Sequence, residues 1–163
     1  MRILFVVKDI DFIDPLGPAY ISAVARQKGH ETQLAIMDRE DVIGKIKSWS
    51  PEIIAYSSVT GEHRYYMELN NEIKKRFKVF TIMGGAHPTF YPECLDKGTL
   101  DAICMGEGEG AFSDVLDALS AGKDIGNIPN IRARNGSNGG SSSSSCGVDF
   151  KPIGLGQNHI TSL

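Results

Sequence analysis

Short apolar runs alternate with longer amphipathic stretches along the first 135 residues of the chain. The apolar runs have the length and composition of buried strands, and their nearly continuous hydrophobicity is typical of parallel strands that are covered on both faces. The predicted strands are Arg2–Val7, Glu31–Met37, Glu52–Tyr56, Val79–Met83 and Asp101–Met105.

Apolar residues at helical spacing predict helices between these strands. One begins at Leu16 and ends at Gly29, a second follows Asp38 or Asp41 as N-cap, and Pro51 ends it. Residues 62–77 form the clearest amphipathic helix, residues 91–97 a short helix or turn, and residues 109–121 the last helix.

Strands that alternate with helices predict a parallel sheet with right-handed crossovers. We therefore expect a flavodoxin-like (Rossmann-like) doubly wound α/β fold with a five-stranded parallel sheet in the order 2-1-3-4-5. Residues 128–133 are a candidate short edge strand. Four polar, glycine-marked loops would meet at the carboxyl edge of the sheet, where such folds bind ligands. These loops are Asp9–Gly17, Ser57–Gly61, Gly84–Phe90 and Gly106–Gly110.

The pattern fades after residue 135, and a Gly/Ser-rich run, GSNGGSSSSSC, follows. We predict one domain over residues 1–135, and a linker with an uninterpreted tail over residues 136–163.

The composition excludes several functional classes. The net charge is −3, so there is no overall basic surface for nucleic acid, and no apolar run is long enough to span a membrane. Three cysteines without a CxxC pair favour neither a disulfide framework nor a thiolate metal site. We expect a cytoplasmic protein.

The glycine turn Gly84-Gly85 organises the most informative loop, because glycines let a flat ligand approach the backbone closely. His87 follows this turn, and we interpret it as a ligand-contacting residue rather than one that only caps the loop. His63 is better explained as a solvated residue at a helix start.

Two acidic residues mark the second glycine loop. Glu107 and Glu109 fit a binding or helix-capping role better than a general acid/base pair, because carboxylates are common at helix N-termini. Ser57, Ser58 and Thr60 offer hydroxyl groups at a strand end, but no GxSxG elbow accompanies them, which argues against a hydrolase.

Several nucleotide-binding and phosphoacceptor classes do not fit. The GxGxG run follows the fifth strand rather than the first, and GxxxxGK[ST] does not occur. A response regulator needs a phosphoacceptor Asp after the third strand, where Tyr56-Ser57-Ser58 stands. An FMN-binding domain is a weaker possibility, because the acidic Asp9–Asp14 loop would repel a phosphate.

Taken together, these loops resemble the N-terminal cobalamin (B12)-binding domain of cobalamin-dependent radical SAM proteins. The resemblance covers residues 1 to about 135, and the GGxHPT and GEGE motifs in this order carry it. The matching segments are DPLG (14–17), RQKGHE (26–31), PEIIAYS (51–57), MGGAHPTF (83–90) and DAICMGEGE (101–109).

The resemblance implies a corrinoid across the strand carboxyl ends, with its nucleotide tail in the sheet edge. It also implies base-off cobalamin without a histidine ligand to cobalt, because the Asp9–Gly17 loop lacks the histidine of the DxHxxG signature. The residues that it assigns to the cofactor are Asp14, Leu16, Gly17, Ser57, Ser58, Thr60, Gly84, Gly85, His87, Pro88, Thr89, Gly106, Glu107 and Gly108.

One departure from the family limits the expected activity. No CxxxCxxC motif is present, so the 4Fe–4S cluster and S-adenosylmethionine would belong to a missing radical SAM domain, in cis or in trans. We expect this chain alone not to be catalytic, and its parent to be a methyltransferase or related radical enzyme. The alternative is a stand-alone corrinoid carrier or sensor, or an interaction module.

Overall fold

Six strands form one sheet in the computed structural model, which describes residues 1–10 and 16–134. The order is β2-β1-β3-β4-β5-β6; the first five strands are parallel and β6 runs antiparallel to β5. The strands are β1 Arg2–Val7, β2 Glu31–Ile36, β3 Ile53–Ser57, β4 Phe80–Gly84, β5 Ala102–Cys104 and β6 Ile131–Ala133.

The predicted strand order 2-1-3-4-5 is confirmed, but the sheet has six strands rather than five. The candidate edge strand forms as β6 because Ile131 is buried in the core beside β5. The pairing extends past the strand, where the Arg134 amide donates to the Asp101 carbonyl at 2.8 Å.

Five helices connect the strands of the described chain. Asp41, not Asp38, caps α2, and its Oδ1 accepts the Gly44 amide at 2.9 Å. The helices are α1 Leu16–Gln27, α2 Val42–Trp49, α3 His63–Arg76, α4 Ala86–Phe90 and α5 Glu109–Ser120, with a 3₁₀ turn at Pro92–Cys94.

The short helix α4 corrects the sequence interpretation, which treated Gly84–Phe90 as a loop. Pro88 obscures this helix, because a proline usually marks a helix boundary. It is tolerated here because it lies in the first turn, where its missing N–H has no helical acceptor.

Each face of the sheet carries its own apolar core. Side chains of alternate residues, such as Ile3 and Phe5 of β1, face α1 and α5, while Leu4 and Val6 face α2 and α3. Lys28, the residue after α1, pairs with Asp117 of α5 at 2.5 Å, so the end of α1 is linked to α5 on the first face.

Two further findings concern the chain as a whole. None of the helices in residues 1–10 and 16–134 is long and apolar enough to cross a membrane. The predicted linker and tail, residues 136–163, lie outside the described residues, as does part of the predicted loop after β1.

Candidate functional site

A step in side-chain size creates a cavity on the sheet face that α1 and α5 cover. The strand register aligns Phe5, Ala55 and Ile82 in one row across β1, β3 and β4. Two residues further toward the carboxyl edge, Ser57 and Gly84 are paired, and both are small. The space above this second row therefore stays open, while the first row forms an apolar floor.

The α1/α5 cavity, as we call this space, has a volume of about 190 Å³. The two helices close its sides and the glycine loop after β5 borders its mouth. The residues that line it are Phe5, Gly17, Pro18, Ile21, Ala55, Tyr56, Ser57, Ile82, Gly84, Gly85, Cys104, Gly106, Glu107, Gly108, Glu109 and Phe112. An apolar cavity of about 150 Å³ is enough to hold a benzene ring, so this one has room for a flat aromatic group.

The turn after β4 depends on Gly85. Its φ is +95°, and a Cβ atom there would lie 2.7 Å from the carbonyl oxygen of Ser58. This close approach lets the Ser58 amide donate to the Gly84 carbonyl and the His87 amide donate to the Ser58 carbonyl, each at 3.0 Å. The loops after β3 and β4 are thereby held together.

Thr89 links the turn after β4 to the glycine loop after β5. Its Oγ1 donates to the Gly85 carbonyl at 2.8 Å and accepts the Gly106 amide at 2.9 Å. One hydroxyl group thus positions the loop that borders the mouth of the α1/α5 cavity.

We expect Thr89→Val to speed amide hydrogen exchange in residues 106–108 by about fivefold, because the loss of a hydrogen bond worth about 1 kcal/mol favours local opening. Mass spectrometry of exchanged peptides measures this. Thr89→Ser, which keeps the hydroxyl, should exchange like the unmodified chain. Equal exchange in the valine variant would show that the bridge does not hold the loop.

A second depression, the α3 groove, lies on the opposite face of the sheet. It has a volume of about 600 Å³ and is lined by Thr60, His63, Arg64, Met67, Glu68, Asn71, His87, Tyr91, Glu93, Cys94 and Lys97. The rings of His63 and His87 stack here with centroids 3.9 Å apart, and the ring of Tyr91 also stacks with that of His87, with centroids 5.4 Å apart.

Hydrogen bonding in this stack is incomplete. The Oγ1 of Thr60 lies 3.3 Å from the Nδ1 of His87, whereas the Nδ1 of His63 is the one buried side-chain polar atom of the described residues without a partner. His63 begins α3, as the sequence predicted, but it is half-buried rather than fully solvated.

Burial lowers the pKa of His87 from its usual value of 6.5, and the neighbouring His63 lowers it further, while Glu93 acts in the opposite direction. Burial likewise lowers the pKa of His30, with the N-terminal charge and Lys28 contributing. Both imidazoles are therefore held neutral in the folded chain at neutral pH.

We expect the free energy of unfolding to be highest above pH 6.5 and to fall as the pH drops below it. At pH 6.5 the unfolded chain binds more protons than the folded chain, because the pKa values of His30 and His87 are lower in the folded chain. Urea denaturation at pH 7.5, 6.5 and 5.5 measures the effect, which is limited to about 1.4 kcal/mol per pH unit for each histidine. His87→Gln should reduce the slope; an unchanged slope would contradict the role of His87.

The structure divides the residues proposed from the sequence between two places. The α1/α5 cavity receives Gly17, Ser57, Gly84, Gly85, Gly106, Glu107 and Gly108. Thr60 and His87 line the α3 groove instead. Ser58 and Pro88 are buried, Thr89 forms the bridge, and Leu16 is exposed at the start of α1. Asp14 lies outside the described residues.

The sequence interpretation missed the apolar walls of the cavity, such as Phe5, Ile82 and Phe112. These residues are indistinguishable from ordinary core residues by periodicity. A usable signal was the small residue at the end of each neighbouring strand, since Ser57, Gly84 and Cys104 all fall on the same face.

The cavity offers little acid–base or nucleophilic chemistry. Burial, with a smaller contribution from Glu109, raises the pKa of the Cys104 thiol to about 11, so the thiol stays protonated. The N-cap position of α5 is Gly108, and no side chain hydrogen-bonds to cap it, but Glu109 lies in the first turn of α5, where a carboxylate is favourable. Within residues 1–10 and 16–134, no group of three or more His, Cys, Asp or Glu side chains is placed to hold a metal ion. The arrangement suits binding of a flat apolar group at the carboxyl edge.

Comparisons with solved structures show that this fold is shared. The radical S-adenosylmethionine methyltransferase TsrM from Kitasatospora setae, solved with cobalamin and a 4Fe–4S cluster bound, superposes with a TM-score of 0.65 at 18% identity, covering 80% of this chain and 26% of that one. A cobalamin-binding protein from Desulfitobacterium hafniense DCB-2 superposes with a TM-score of 0.55 at 19% identity, covering 71% of this chain and 57% of that one.

Comparisons with curated sequences identify relatives of greater length. An uncharacterized methyltransferase of Pyrococcus horikoshii is 34% identical over 123 residues, which are 70% of this chain and 26% of that protein. The hopanoid C-3 methylase of Methylococcus capsulatus is 25% identical over 127 residues, which are 73% of this chain and 25% of that protein. The aligned part of this chain thus corresponds to only a minor portion of either relative.

The sequence profile of the family described as "B12 binding domain" matches residues 6–116, which include the end of β1, all of β2 to β5, the glycine turn and most of α5. Those residues contain most of the α1/α5 cavity and both glycine loops. The resemblance drawn from the sequence is confirmed: the chain belongs to the B12-binding domain family.

Proposed function

We propose that this chain is the cobalamin-binding module of a cobalamin-dependent radical SAM methyltransferase. In this proposal the α1/α5 cavity receives the nucleotide tail of cobalamin, and the loops at the carboxyl edge support the corrin. The observation that carries the proposal is the apolar cavity itself, which opens at the carboxyl edge between two glycine loops of a B12-binding domain.

The chain's residues fit a base-off cofactor without a histidine ligand. Residues 9–17 contain no histidine, and among the described residues none of those that line the α1/α5 cavity is a histidine. His63 and His87 stack on each other in the α3 groove instead. The aromatic base at the end of the nucleotide tail is called the lower base. When it occupies the cavity, the sheet and the two helices keep it away from the cobalt.

In this proposal the cofactor and the protein have different roles. Bound cobalamin supplies the methyl-carrying chemistry, while the protein supplies binding and orientation. Within this chain the glycine turns allow close approach, the row of Phe5, Ala55 and Ile82 sets the depth of the cavity, and Thr89 fixes the loop at its mouth. The radical step, with its cluster and S-adenosylmethionine, would belong to a partner domain like those of the longer methyltransferase relatives.

A stand-alone corrinoid carrier is the second candidate. It is supported by the superposition with the Desulfitobacterium cobalamin-binding protein, of which this chain covers 57%, a larger share than of the methyltransferases. A CxxxCxxC motif in the native gene or in the gene of a partner protein would favour the first candidate, because only the first requires that motif.

Titration of the purified chain with methylcobalamin, followed by visible absorbance, tests the proposal. We expect saturable binding with conversion to the base-off spectrum, and weaker binding of cobinamide, which lacks the nucleotide tail. A folded chain that binds no corrinoid, or that binds methylcobalamin with its base still on the cobalt, would contradict the proposal.

A further inference from the structure

The α1/α5 cavity is poor in hydrogen-bonding groups at its floor. Phe5, Ala55 and Ile82 form that floor, and Ile21 and Phe112 cover it from the two helices. The hydroxyl and carboxylate side chains, Ser57, Glu107 and Glu109, belong to the strand end, the loop and the first turn of α5.

The backbone groups of the floor residues are not free to replace the missing hydrogen-bonding side chains. Phe5, Ala55 and Ile82 are successive partners in the parallel ladder, so their amide and carbonyl groups bond to the neighbouring strands. The Cys104 thiol, whose pKa is raised to about 11, is only a weak donor. A polar ring atom at the floor would therefore lose its hydrogen bond to water and gain none from the protein.

Corrinoids differ in the aromatic base that ends the nucleotide tail. Dimethylbenzimidazole presents methyl groups and ring carbons at its outer edge. Adenine presents an exocyclic amino donor and ring nitrogen acceptors there. Each unpaired polar group reduces affinity, and such a difference in pairing discriminates between ligands more strongly than a difference in size alone.

We propose that the α1/α5 cavity selects corrinoids with an apolar benzimidazole lower base over corrinoids with an adenine lower base. This inference rests on the proposed function, because it assigns a specificity to the same cavity. The apolar floor of Phe5, Ala55 and Ile82 and the cover of Ile21 and Phe112 set that specificity.

The test compares three cyano-corrinoids on the full 163-residue chain by absorbance titration: cobalamin, its adenine counterpart pseudocobalamin, and cobinamide without any base. We expect cobalamin to bind at least about tenfold more tightly than pseudocobalamin. We expect pseudocobalamin to bind no more tightly than cobinamide, because its base gains nothing in the cavity.

Ala55→Ser adds a hydroxyl group to the floor and should reduce the ratio of the two affinities by about threefold or more. Ala102→Ser is the matched control, because Ala102 lies in the same sheet row, next to Ile82, and is also buried but does not line the cavity. Its ratio should not change. A ratio of affinities is insensitive to any loss of folded protein in either variant.

The outcomes separate this inference from the proposed function. Equal binding of cobalamin and pseudocobalamin, both above cobinamide, would overturn the specificity and leave the cavity as the tail site. Equal binding of all three would overturn the cavity as the tail site, and the specificity with it. Absence of binding by a folded chain would overturn the proposed function as well.

Discussion

Gly84→Val should lower the affinity of the chain for cobalamin by at least about tenfold while its fold is kept. Gly84 is the last residue of β4, and the nearest atom to a Cβ added there is the Cβ of Cys104 at 3.9 Å, an ordinary contact. The isopropyl group would occupy the α1/α5 cavity, which Gly84 lines. Absorbance titration measures the affinity, and we expect it to fall to that of cobinamide in the unmodified chain.

The matched control is Gly110→Val, which makes the same chemical change in the first turn of α5. A Cβ atom at Gly110 meets nothing within 4 Å, and Gly110 does not line the cavity. Its affinity for cobalamin should stay within about threefold of the original. If the Gly84 variant is folded and binds cobalamin undiminished, the cavity does not hold the tail.

Gly85→Ala should lower the free energy of unfolding by about 3 kcal/mol, because two costs act together. The φ of +95° disfavours any side chain, and the new Cβ would lie 2.7 Å from the Ser58 carbonyl oxygen and 2.9 Å from its amide nitrogen. Both contacts are with backbone, so no side chain can rotate away. Urea denaturation gives the change in stability.

Gly61→Ala separates the two costs. Gly61 also has a positive φ, +107°, but a Cβ atom there meets nothing within 4 Å. We expect the control to lose about 1 kcal/mol, from backbone strain alone. Equal losses in the two variants would show that the approach of Gly85 to Ser58 is not what stabilises the turn.

The strand order was predictable from the sequence because it depends on long-range regularities. Apolar runs separated by amphipathic helices restrict the connections to a few topologies, and the five parallel strands follow the expected order. Short elements depend on local contacts instead. The helix α4 contains only Ala86–Phe90 and was missed, while β6 was only a candidate, because its three residues show no periodicity and are held by pairing with β5.

The site was predictable where the backbone imposes a residue type and not where side chains pack. Gly85 stands out in the sequence because few other residues adopt its φ, and Gly106 has a positive φ of 70° as well. Ala55 and Ile82 look like any strand core, since nothing in one sequence shows that α1 and α5 leave a gap above them. The side of the sheet on which His87 lies depends on the turn geometry of α4, so its stacking on His63 was not foreseen.

The most direct measurement is a methyl NMR spectrum of the chain with and without diamagnetic cyanocobalamin. We predict chemical-shift changes concentrated at Ile21, Ala55 and Ile82, which line the α1/α5 cavity. Methyl groups on the opposite face, such as those of Val42 and Met67, should hardly move. Changes confined to Met67 and its neighbours in the α3 groove, with Ala55 and Ile82 unchanged, would contradict the account of the site.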